Sequence, residues 1–120
     1  MDRYCAECGS PIVERHHIIF RSAAGYMVNV PVNFKDLCPS HHRGNGSPHL
    51  NKKKDLQYKQ ELQAKLNVIF HKDYYTLNEI KEILEISKSE TEKVVNKTPI
   101  YKEGYKREDI IKRCLGGRFY

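Results

Sequence analysis

The chain has 120 residues, with 21 Lys or Arg against 15 Asp or Glu, a net charge of +6 and a sequence pI near 9.1. That length suits one compact domain, or a small domain with an appended piece, and the apolar content suffices for a modest core. No stretch approaches the ~18 apolar residues that a membrane span requires, and the basic excess suits a polyanion such as nucleic acid.

The N-terminus reads Met1-Asp2-Arg3-Tyr4-Cys5, with no apolar run, so no signal peptide is expected and the chain reads as cytoplasmic. Residues 1–50 are rich in Gly, Pro, Asn and His and hold few large aliphatic side chains, so this head needs a staple to fold. Three of the four cysteines and five of the six histidines lie within the first 49 residues. Disulfides are one staple, but in a reducing compartment a Cys-x-x-Cys pair more often holds metal, so zinc is expected.

In chain order, Cys5-Ala6-Glu7-Cys8-Gly9-Ser10-Pro11 predicts a tight knuckle turn. Ile12-Val13 and Ile18-Ile19-Phe20 are short β-prone runs, and the connection from Phe20 to Asn33 is a loop with one more short strand near Tyr26–Val30. Cys38-Pro39-Ser40-His41-His42 opens a short helix that Gly44–Pro48 breaks. Asn51 caps a longer helix, about residues 52–71, with Tyr58, Leu62, Leu66, Ile69 and Phe70 on its inner face.

Thr76-x-x-Glu79 is a capping box for a helix that turns Leu77, Ile80, Ile83 and Leu84 inward. Ser87 and Ser89, with Glu90 and Glu92 three residues on, start a third helix carrying Val94 and Val95. A last helix, about 106–115, holds Ile110, Ile111 and Leu115 and stops at Gly116-Gly117. The pattern divides into a core at residues 1–72 and a small helical module at 73–120. Residues 76–95 have the outline of a helix-turn-helix. The segment 73–95 is acidic, however, with six carboxylates against three lysines, which favours a packing or docking module over groove insertion.

The ligand spacing separates two sites. Cys5 and Cys8 come from one turn, and Cys38 and His41, three apart at a helix start, share a face. Together they make a closed tetrahedral quartet for a structural zinc. His42 competes for the fourth position, but the spacing favours His41. Adjacent helical residues diverge by about 100°, so His42 then faces elsewhere, toward His16 and His17. His49, reaching back across the Gly44–Pro48 loop, is the candidate third ligand beside them. On a regular strand His16 and His17 point to opposite faces, so both can serve one site only at a bulge or strand end.

The order Cys-x-x-Cys, His-His, Asn, Cys-x-x-His-His, carried by Cys5, Cys8, His16, His17, Asn33, Cys38, His41 and His42, resembles the HNH endonuclease family. It is also similar to small phage-encoded HNH proteins with a comparable Pro-His-Leu-Asn-Lys run, and it covers about residues 1–50. The resemblance implies an α+β fold: a ββα-metal core stapled by a structural zinc and followed by a C-terminal helical extension. It implies His17 as the general base for the attacking water, His16 and His42 as ligands of a catalytic divalent ion, and Asn33 as the residue that ties down the loop and orients the base. The ion would be Mg, Mn, Ni, Co or Zn, with a histidine site favouring the last four in the test tube.

The expected activity is hydrolysis of DNA phosphodiesters, by nicking or double-strand cutting, to 5′-phosphate and 3′-hydroxyl ends. Arg15, Arg21, Arg43, Lys52, Lys53 and Lys54 are the candidate nucleic-acid contacts. A bacterial or phage setting follows from the resemblance, with phage packaging machinery or another protein as a further partner for the C-terminal helices. A zinc-stabilised DNA-binding module without turnover is the rival reading, and a sequence-strict toxin or restriction-type nuclease is a third.

Overall fold

In the computed structural model, which describes residues 2–120, β1 (Glu14–His17) pairs antiparallel with β2 (Phe34–Leu37), setting His16 opposite Lys35 and His17 opposite Phe34. The strand falls between the two β-prone runs, not on them. Ile18 and Ile19 leave the ladder because both are buried and Asn33 takes their backbone. Ile18 N donates to the Asn33 carbonyl at 2.8 Å, and Ile19 N to Asn33 Oδ1 at 2.7 Å. The strand expected near Tyr26–Val30 does not form. Single turns of 3-10 helix at Gly25–Met27 and Pro31–Asn33 replace it, burying Met27, Val30 and Asn33. Proline at the start of the second turn presets φ and lacks the N–H that a strand would use.

Helix α1 (Pro39–Arg43) follows β2 directly, with proline at its first position, where no N–H is needed. Helix α2 (Lys52–Ile69) is capped by Asn51, whose Oδ1 accepts from Lys54 N at 3.0 Å. It ends two residues short of the periodic estimate, and Phe70, just past its end, is buried. Tyr58, Leu62 and Leu66 form its buried stripe.

The second half runs β3 (Tyr74–Tyr75), α3 (Leu77–Leu84), α4 (Lys88–Val94), β4 (Ile100–Tyr101), β5 (Gly104–Lys106) and α5 (Arg107–Cys114). Both capping boxes form, Thr76 with Glu79 and Ser87 with Glu90. The expectation of a purely helical extension is corrected: three strands make an antiparallel sheet in the order β3-β5-β4. Strands of two or three residues are too short to show a period of two, so composition hid them. Gly104 requires glycine for both its backbone angle and its space. Its φ is +121°, and a Cβ there would lie 2.5 Å from the Tyr75 carbonyl oxygen across the ladder.

The two halves share one core. Leu37 and Tyr58 from the first and Ile80, Ile110 and Leu115 from the second belong to a single buried cluster. Tyr26 Oη donates to the Arg113 carbonyl, and the Gly116 backbone lies against Ile19. Among the described residues no helix is long and apolar enough to cross a membrane. The observed class is α+β, with two small sheets and packed helices.

Candidate metal centres

The knuckle turn is closed by backbone bonds from Cys5 N to Ser10 O and from Gly9 N to Cys5 O, both 2.8 Å, with Gly9 at φ +77°. Ala6 N also donates to Asp36 O at 2.9 Å, which ties the turn to β2. Cys38 precedes α1 and His41 sits one turn inside it. The ligand atoms of Cys5, Cys8, Cys38 and His41 all lie within 4.8 Å of one another, a cluster that could hold a metal ion.

The spacings test the fit. A tetrahedral ion bonded at about 2.3 Å to sulfur and about 2.1 Å to nitrogen sets its ligand atoms about 3.8 Å apart for S–S and about 3.6 Å for S–N. Cys8 Sγ is 3.8 Å from Cys38 Sγ, and His41 Nδ1 is 3.7 Å from Cys5 Sγ and 3.2 Å from Cys38 Sγ. The residues fit. Burial alone would raise the Cys5 thiol, but backbone hydrogen bonds from Cys38, Cys8 and Glu7 pull it down to about 6. For Cys8 a backbone bond from Ser10 lowers the thiol, yet burial and the Cys5 and Cys38 sulfurs outweigh it and raise it. Three sulfurs this close resist joint ionisation unless a cation lies among them.

A second cluster joins His16, His42 and His49. Their ring centroids form a near-equal triangle: 5.3 Å from His16 to His42, and 4.9 Å from His49 to each. His16 is 1% exposed, and neither of its ring nitrogens has a hydrogen-bond partner. Burial, then the neighbouring His49 and His42, lowers its pKa to about 3, so it is a neutral imidazole with an uncommitted lone pair. Burial also lowers His49. An orphaned buried imidazole facing two more rings fits a cation held between them.

Glu14, which sequence reasoning missed, orients this cluster. Its Oε1 is 2.7 Å from His42 Nδ1, and its Oε2 accepts from Arg43 Nη2 at 2.8 Å. Those bonds, His42's first, hold its carboxyl below the usual range. A carboxylate accepts, so His42 Nδ1 carries the hydrogen and Nε2 is left facing His49 Nε2 at 3.1 Å. The signal was present in the period of two, which puts Glu14 on the same strand face as His16.

No bulge lies at His16-His17, since the β1–β2 register is regular. His17 is the last residue of β1. It reaches the same cleft from the strand end, a cavity of about 280 Å³ lined also by Arg15, Phe20, Arg21, His42 and His49. Its ring packs edge-on against Phe34, and Nε2 donates to the Val28 carbonyl at 2.9 Å. A carbonyl can only accept, so Nε2 carries the hydrogen and Nδ1 the lone pair. Asn33 is buried, and besides accepting from Ile19 N it donates through Nδ2 to the Ile19 and Met27 carbonyls at 3.1 and 3.2 Å. The Met27 carbonyl adjoins Val28, so Asn33 holds the loop that holds His17.

Of the basic candidates, Arg15 lies over the Phe34 ring at 4.1 Å, and Arg21 is exposed at the cleft. Arg43 is engaged by Glu14. Lys52 and Lys53 are exposed, whereas Lys54 is 3.5 Å from Glu7 and turned toward Tyr58. Cys114 is fully buried in the core, far from either cluster's ligands in sequence, and burial raises it to about 12. His71 is exposed and belongs to neither cluster. The chain matches no family model, no curated protein and no solved structure.

Proposed function

We propose that the chain is a metal-dependent HNH endonuclease that hydrolyses DNA phosphodiester bonds, by nicking or double-strand cleavage, leaving 5′-phosphate and 3′-hydroxyl ends. The observation that carries the reading is His16, buried with both ring nitrogens unpartnered among His42 and His49, in a cleft that His17 also lines. Cys5, Cys8, Cys38 and His41 hold a structural zinc in this reading. They are soft, closed and four in number, as such sites require.

His16, His42 and His49 would hold a divalent ion, and imidazoles favour Mn, Ni, Co or Zn over Mg. When bound, that ion supplies positive charge to the scissile phosphate and the departing 3′ oxygen. The chain's own groups do the rest. His17 accepts the proton of the attacking water at Nδ1, with Nε2 anchored on Val28 so that the ring presents the correct tautomer. Asn33 transfers no proton; it fixes the 27–28 backbone on which that anchor depends. Glu14 fixes His42 and sharpens its donor nitrogen. Phe20, stacked on His49, walls the cluster from water on one side. Arg15 and Arg21 at the cleft supply cations for the phosphates that flank the cut.

Incubating the purified chain with supercoiled plasmid and Mn or Mg tests this. Wild type should convert plasmid to nicked or linear forms, and His17→Ala should lose at least about a hundredfold of that rate. No conversion by wild type in any of the divalent ions, or full conversion by His17→Ala, overturns the catalytic claim and leaves the zinc-stabilised DNA-binding module in its place.

A further inference from the structure

The second half of the chain holds a surface that the metal centres do not use. Helix α3, a three-residue turn at Glu85–Ser87 with Glu85 at φ +58°, and helix α4 are followed, after a connection at residues 95–99, by the β4–β5 hairpin, which pairs with β3. This is a helix-turn-helix with a hairpin fixed beside it. Of the six carboxylates in residues 73–95, Asp73, Glu82, Glu85 and Glu92 are exposed with no cation within 4.0 Å among the described residues, and the structure engages the other two. Glu79 is taken up by the Thr76 cap and Lys72. Glu90 accepts from Ser87 N and Ser87 Oγ through Oε1 and from Asn29 Nδ2 through Oε2. What α4 shows to solvent is Lys88, Ser89, Glu92 and Lys93, with Asn96 and Lys97 just beyond.

Both halves hold unpaired lysines, and in the first half Lys52, Lys53 and Lys65 are exposed with no carboxylate within 4.0 Å among the described residues. Lys35, Lys54 and Lys59 of the first half, and Lys72 at its edge, each meet a carboxylate. Among the described residues Lys88, Lys93, Lys97, Lys102 and Lys106 are exposed and have no carboxylate within 4.0 Å. Lys88 also shares a concave surface with Thr76, Asn78 and Lys81 at the start of α3, so the first turns of both helices open on one face.

We propose that this helix-turn-helix and its hairpin form a second interface for duplex DNA, with α4 in the major groove and Lys88, Lys93, Lys97 and Lys102 on the flanking phosphates. A groove about 12 Å wide admits one helix. The first residues of a second helix are those that reach base edges while the first helix crosses the backbone, a place that Ser89 takes here. Glu92 stands one turn further along the same exposed face. Asn29 joins the two sites: it follows Val28, which anchors His17, and it donates to Glu90 at 2.9 Å. A duplex seated on α4 therefore passes the loop that positions the base. The proposal deepens the nuclease reading by sharing its polymer, but it needs none of the cleavage chemistry.

Fluorescence anisotropy of a labelled thirty-base-pair duplex tests it, using the full chain with His17→Ala so that the probe stays intact. Lys88→Ala/Lys93→Ala should weaken binding at least about tenfold and reduce the slope of log K against log salt by about 2. Lys88→Arg/Lys93→Arg should restore both, and Glu92→Lys should tighten binding, so the outcome does not hang on one variant's folding. Unchanged affinity and salt slope in the alanine pair overturn the proposal and make the face a protein-docking surface. The two readings fail separately. A wild type that binds duplex through these lysines but never nicks sinks only the nuclease, whereas nicking with lysine-independent binding sinks only this interface.

Discussion

Glu14 and His42 face each other across the first sheet and the first helix, with Oε1 and Nδ1 2.7 Å apart. The pair decides which nitrogen of His42 is offered to the His16–His49 cluster. Glu14→Gln can still accept at that position but loses the charge, and Glu14→Ala loses both. Removing such an outer partner costs about 10–100-fold in metal affinity. Titration with Co or Mn, followed by calorimetry, should show Glu14→Ala near the upper end of that range and Glu14→Gln near the lower, while the Cys5–His41 quartet keeps its ion. Equal affinity in all three chains would mean that His42 is oriented by α1 alone.

Asn33 is the most heavily engaged buried amide, with three hydrogen bonds to the Ile19 and Met27 backbone. In Asn33→Ala the Ile19 N–H and two carbonyls lose their partners inside the core, and each such group costs about 1–3 kcal/mol. The expected loss is on the order of 3 kcal/mol, read as a lower urea midpoint. Asn33→Asp should be no better, because a carboxylate accepts from Ile19 N but faces two carbonyl oxygens. Near-native stability of Asn33→Ala would show that water or a relaxed loop satisfies these groups.

Some of this was legible in the residues and some was not, for physical reasons. The quartet could be read because a Cys-x-x-Cys turn and a Cys-x-x-His helix start constrain geometry over a few bonds. Asn51, Thr76 and Ser87 could be read because a cap is a local hydrogen bond between a residue and its own helix. The strand at Glu14–His17 was misplaced because hydrophobic runs mark burial, and Ile18-Ile19 is buried by core packing, not by pairing. Glu14 went unseen because its partner lies 28 positions away. The β3-β5-β4 sheet escaped because its strands carry almost no pattern, and the further contacts of Glu79 with Lys72 and of Glu90 with Asn29 escaped because they join separate segments and net charge does not record what a carboxylate bonds.

The quartet predicts how the head fails. Cys5 and Cys38 come from segments 33 positions apart, and few large aliphatic side chains lie between them. Metal analysis should find about one ion per chain that survives dialysis, and a strong chelator should remove it with loss of folding, since binding such an ion is itself folding free energy. Cys5→Ser should lower the thermal midpoint sharply and abolish that tightly held ion. A Cys5→Ser chain that melts like wild type without bound metal shows that the core, and not the ion, staples the head.

Acid should weaken the second half through Glu79. Lys72 first, then the backbone N–H of Thr76, brings its carboxyl down from 4.5 to about 2. A group whose folded pKa is depressed contributes stability that is complete above its unfolded value and is lost as pH falls through the folded one. Between about 4.5 and about 2 the unfolded chain binds the extra proton, so stability here declines toward acid. Glu79→Gln keeps an amide oxygen for Thr76 N but abolishes the titration. Urea unfolding of both chains at intervals from pH 6 to pH 2 should show the variant less stable at the top of that range and the gap closing toward the bottom. Since metal release in acid affects both chains alike, it cancels in the difference. A gap that stays constant down to pH 2 would assign the cost to the cap's geometry and remove the Lys72 ion pair from the account.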